Sequence, residues 1–169
     1  MKKEFTIIDS AKVKWKGNFD LKLLYNKLKD WLVIEGYGEP KEELYAERIK
    51  PTGAKTIEVS WSASKKEEDY FGLSIKITFY AVDMEEIEIT NDEGKKLKLN
   101  KGEVEIKFSS VLTLDIGERF GSGPNIPVQQ KLYEKHMISD NIEKQKIDLY
   151  EKTMDIIDQT KNFLNLYRF

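Results

Sequence analysis

The chain has 169 residues, with 28 Lys and Arg against 30 Asp and Glu, 40% hydrophobic residues and no cysteine. That size buries a core without staples, and the intermixed charges make no field to gather nucleic acid or an anionic membrane. The lack of cysteine removes disulfides, thiolate metal sites and cysteine nucleophiles, and it suits a reducing, cytoplasmic setting.

Phe5 to Trp15 alternates loosely and reads as an edge strand, bent at Asp9-Ser10. Lys16-Gly17-Asn18 reads as a turn, after which Asn18 or Asp20 can cap a helix. Leu21, Leu24, Tyr25, Leu28, Trp31 and Leu32 recur at three- and four-residue steps. They form one face of a helix over about 19–35, ended at Gly36 by a left-handed residue.

Strands then fill 42–116. Glu42–Ile49 is the first, closed by the turn Pro51-Thr52-Gly53, and Ile57, Val59, Trp61 and Ala63 alternate in the next. Phe71, Leu73, Ile75, Ile77, Phe79 and Ala81 take the odd positions of a long strand from Tyr70 to Val82. Met84–Thr90 meets Leu97 and Leu99 across Asn91-Asp92-Glu93-Gly94, a hairpin whose Gly supplies positive φ. Asn100-Lys101-Gly102 reads as a further turn. It leads into Glu103–Ile116, where Val104, Ile106, Phe108, Leu112 and Leu114 take the even positions. This period of two describes a sheet with one apolar and one wet face, the pattern of antiparallel pairing.

Gly117–Pro127 reads as a loop and 127–138 as a helix. Asp140 with Glu143 three residues on resembles a capping box, placing a break near Ser139. A last helix over 140–167 carries a stripe of Ile142, Leu149, Tyr150, Ile156, Ile157, Phe163, Leu164 and Tyr167, with Thr153 and Thr160 inside it. A hydroxyl so placed can return its hydrogen bond to a carbonyl one turn earlier. The expected fold is α+β, a single domain over 1–169. A single-layer, curved antiparallel sheet of about seven strands, in β-α-β6-α order, is covered on one face by the long C-terminal helix. That helix, of about 28 residues and ~42 Å, is long enough to lie along the whole apolar face. The core beneath it is expected to be filled.

In element order the chain resembles the helix-grip arrangement of START-type and plant-allergen-type ligand-binding domains. The resemblance spans most of the chain, rests on order alone, and implies a ligand cavity between helix and sheet.

Few residues suggest chemistry. His136 stands alone without spacing for a triad or a metal set, so no metal and no cofactor is expected. Gly121-Ser122-Gly123 is followed by Pro124 where a phosphate loop needs lysine, and it reads as a connecting loop. The many carboxylates alternate with lysine on wet faces and turns. Trp15, Trp31, Trp61, Phe71 and Phe79 take inward positions, as ordinary core or as the lining of a ligand cavity. Phe163, Leu166, Tyr167 and Phe169 give the tail more apolar surface than one stripe needs, and they are candidates for an interface with a protein partner or a second copy. No run is long enough to span a membrane as a helix, and the first residues lack the apolar core of a signal peptide. The favoured reading is a non-enzymatic binding or assembly domain. The alternatives are a carrier of a small apolar ligand and, last, an enzyme with a dispersed site.

Overall fold

The structure, a computed structural model, describes residues 1–168. Its elements are β1 (Lys3–Phe19), α1 (Leu21–Ile34), β2 (Lys41–Ile49), β3 (Lys55–Glu67), β4 (Phe71–Thr90), β5 (Lys96–Leu114), α2 (Ile126–His136) and α3 (Ser139–Asn165). The strands form one antiparallel sheet in the order β1-β5-β4-β3-β2. The fold is α+β, as the alternation predicts, and the alternate positions of β4 and β5 are indeed the buried ones.

The sheet has five strands and not seven, because two predicted breaks are continuous ladder. Tyr70–Val82 and Met84–Thr90 belong to one strand, interrupted only by a bulge between Val82 and Glu85 where Asp83 has φ 54°. Opposite it, Asn100-Lys101-Gly102 is strand and makes no turn. A Cβ on Gly102 would lie 2.8 Å from the Val82 carbonyl oxygen and 2.6 Å from the Met84 sulfur. Glycine is therefore there to let the bulged backbone approach. Gly102→Ala should cost about 1–3 kcal/mol through forced displacement of β4, read from urea denaturation. No loss of stability would mean the bulge yields freely.

Lys16-Gly17-Asn18 likewise continues β1 and makes no turn, pairing with Glu103, Gly102 and Lys101. The ladder runs on to Phe19, whose fully buried ring anchors the strand end in the core. Asp20, and not Asn18, caps α1, its Oδ1 accepting the Leu23 amide at 2.9 Å. Gly36 closes the helix at φ 89°, with the Tyr37 amide donating to Leu32 at 2.9 Å.

The break before α3 is present, but the capping box is not. Ile138 is the N-cap and no side chain caps the first turn. The underside of α3 is packed: Leu149, Thr153, Ile156, Ile157 and Thr160 are each no more than 2% exposed, whereas Tyr150, expected in the stripe, falls outside the covered face and is exposed. The two threonine hydroxyls donate to Leu149 and Ile156 carbonyls at 2.7 and 2.8 Å, as their place in the stripe predicts. One core hydroxyl is unpaired among the described residues. Ser110 lies between Ile8 and Ile75 in the ladders, 1% exposed. An orphaned buried hydroxyl costs about 1–3 kcal/mol, so Ser110→Ala should leave stability unchanged or raise it. A loss above about 1 kcal/mol in thermal unfolding would contradict this.

A candidate ligand groove between α1 and the sheet

Helix α1 is held over the sheet by aromatic packing. Tyr25 meets Trp61 at 4.4 Å between ring centres, and Trp61 meets Phe79 at 5.1 Å, both edge to face. The Tyr25 hydroxyl donates to Glu42 on β2 at 2.8 Å, and the Leu21 amide to Asn100 Oδ1 on β5 at 3.1 Å. The helix is thus fastened at two places, and a groove of about 450 Å³ is left between its first turns and the sheet.

Val59, Phe79, Ala81 and Leu99 form its buried apolar floor. Leu21 and Tyr25 from α1, Ile57 from β3 and Tyr45 from β2 make the walls. Asp20, Lys22, Glu86, Lys98 and Asn100 stand at the rim. The groove owes much of its depth to Ala81, the smallest apolar side chain of the β4 inward row. Both phenols stay neutral. Burial, then the Glu42 hydrogen bond, raises Tyr25, and burial, then Glu47, raises Tyr45. An apolar concavity with a few polar groups at its mouth is the usual form of a small-molecule site, and pockets of roughly 300–1,000 Å³ are typical.

The five aromatics proposed from sequence do not share one cavity. Phe79 lines the groove and Trp61 supports Tyr25 and Phe79 from within the core. Trp31 lies between α1 and α3, its indole N–H directed at the Asp155 carboxylate at 3.3 Å. Trp15 is half-buried on β1, beneath the Arg168 guanidinium. Phe71 is core at the other end of the sheet, against Tyr70. Of the tail, Phe163 is buried, Tyr167 is half-buried and Leu166 is 71% exposed, while Phe169 lies outside the described residues. Leu21, Tyr45, Ile57, Val59, Ala81 and Leu99 line the groove but are not among the cavity residues expected from sequence, where all but Tyr45 figure only as helix-face or strand positions. The one local signal was an alanine in a row of large inward side chains.

At the far end of the strands, a polar cluster joins the first residues to α2. Gln130 donates to the Met1 carbonyl and to Glu134, both at 2.8 Å, and Tyr70 donates to Glu134 at 2.7 Å. Asp115, fully buried, pairs with the Met1 amino group and accepts the Arg119 amide at 2.7 Å. Burial pushes the Glu134 carboxyl up, but hydrogen bonds from Lys3, Tyr70 and Gln130 outweigh it and leave it below the ordinary range. These groups satisfy one another, so the cluster works as a structural tie. His136 is exposed at the end of α2. Among the described residues no group of three or more His, Cys, Asp or Glu could hold a metal ion, and no helix is long and apolar enough to cross a membrane.

Comparison of the chain with protein-family models, with curated proteins and with solved structures finds no match.

Proposed function

We propose that the protein is a binding protein for a small apolar ligand, held in the groove between α1 and the sheet. The observation that carries this is the groove itself: about 450 Å³ over a floor of Val59, Phe79, Ala81 and Leu99. Filling it removes apolar surface from water without requiring any element to move. The helix-grip-like element order agrees with this reading, though the space lies beside α1 and not beneath the long α3.

Assembly through a sheet edge is less well supported. Strand β2 has an open edge, but a bulge between Glu42 and Leu44 interrupts it, and Lys41, Glu42, Glu43, Glu47 and Arg48 charge it. Bulges and charges are the features that keep edge strands from pairing.

The test is titration with N-phenyl-1-naphthylamine, an uncharged apolar fluorophore. Saturable binding at one site per chain is expected. Ala81→Phe, which places a ring on the floor, should abolish it, and Ile57→Trp, at a half-exposed wall, should weaken it if the first variant folds poorly. Binding undiminished in a folded variant would remove the groove from the account.

A further inference from the structure

Where the start of α1 meets β5, the groove ends at a polar pair that the fold leaves half-used. Asn100 Oδ1 accepts the Leu21 amide at 3.1 Å. Only the oxygen of a carboxamide can accept an N–H, so this bond fixes which way the Asn100 side chain faces. Its NH2 group, a double donor, has no partner among the described residues. Glu86 stands directly opposite Asn100 in the β4–β5 ladder. Residues paired in this way point to one face, with Cβ atoms about 4.5–5.5 Å apart. Both line the groove. Among the described residues the Glu86 carboxylate makes no ion pair. It accepts no hydrogen bond from them either. A free donor and a free acceptor thus stand side by side at one end of an apolar groove.

The charges at this end balance. Asp20 and Glu86 are the acids of the lining, Lys22 and Lys98 its bases, and Glu88 faces Lys98 across the ladder. A charged head therefore meets no net field of the opposite sign. A carboxylate would lie against Glu86. An ammonium could donate to Glu86, but it has no lone pair for the Asn100 NH2. A carbonyl or ether oxygen could accept from Asn100, but it would turn its remaining lone pair on the Glu86 carboxylate. A hydroxyl suits both neighbours, accepting from Asn100 Nδ2 and donating to Glu86.

We infer that the ligand is an uncharged apolar molecule with a hydroxyl group at one end, and that the hydroxyl bridges Asn100 and Glu86. Its apolar body lies on Val59, Phe79 and Ala81. The inference rests on the groove being the ligand site, and the experiment separates the two claims.

Four molecules with one alkyl chain and different heads serve as probes: 1-octanol, 1-methoxyoctane, octanoate and octylammonium. Each is titrated at neutral pH against N-phenyl-1-naphthylamine bound to the whole protein, and its affinity is read from the displacement. 1-Octanol should bind tightest, about tenfold more tightly than the more apolar ether, the scale of one hydrogen bond to a charged group. Glu86→Ala, at an exposed position, should bring the alcohol and the ether to within about twofold of each other. Asn100→Asp keeps an oxygen for the Leu21 amide and removes the NH2, so it should weaken 1-octanol about threefold relative to the fluorophore. If the ether, octanoate or octylammonium matches or exceeds 1-octanol, the hydroxyl is wrong while the groove stands. A preference for the alcohol that survives Glu86→Ala, or an affinity for it untouched by Asn100→Asp, would overturn the bridge in the same way. If the fluorophore shows no saturable binding to the unaltered protein, both claims fall.

Discussion

Replacing Trp61 with alanine is expected to cost about 3–5 kcal/mol in urea unfolding, among the largest losses any single substitution in this chain should produce. The side chain is 1% exposed and packs edge to face against both Tyr25 and Phe79. Its removal would leave a void that neither the sheet nor α1 can close by rotamer changes alone. It would also take away the Nε1–H that donates to Glu42 at 3.4 Å, loosening the tie between α1 and β2. Ligand binding should therefore fall together with stability. A loss below about 1 kcal/mol would mean that Trp61 does not hold α1 against the sheet.

Phe163→Ala is expected to cost a similar amount, about 3–5 kcal/mol. Phe163 is 6% exposed, 5.3 Å from the Tyr167 ring centre, and covered on its outer face by the Lys27 ammonium at 5.2 Å. With Leu24 and Leu28 it joins the last turns of α3 to α1. Leu166→Ala, at an exposed position, should stay within about 0.5 kcal/mol. Sedimentation of both variants should match the unaltered protein. A variant with intact stability and a changed oligomeric state would instead make the tail an interface.

Much of the architecture is legible in the sequence because burial imposes a period on it. In β4 and β5 every second residue faces the core, so parity and burial coincide from Phe71 to Ala81 and from Val104 to Leu114. The strand count was less legible, since Gly102 and the residues around Asp83 carry breaker chemistry. A bulge and its glycine resemble a turn when only one strand is in view, and the pairing that tells them apart is long-range. The capping box before α3 misled for a related reason. Asp140 and Glu143 have the right spacing, but the chain enters the helix two residues before that box would place it, with Ile138 and not Asp140 at the N-cap.

The groove was still less legible. Its lining comes from α1 and four strands, and no two neighbouring segments supply it. Aromatic content pointed to the indoles, which are mostly structural here. What opens the space is a small residue, Ala81, and a helix whose first turns are fastened at Asn100 and Glu42. Neither shows as periodicity.

The central claim, that the groove is the ligand site, is tested most directly by amide chemical-shift mapping of isotope-labelled protein titrated with N-phenyl-1-naphthylamine. The account predicts saturating shifts at Leu21, Tyr25, Tyr45, Ile57, Ala81 and Leu99, with α2 and the far ends of β1 and β5 unmoved. Shifts centred on α2 or on the tail, or no saturable shifts at all, would contradict it.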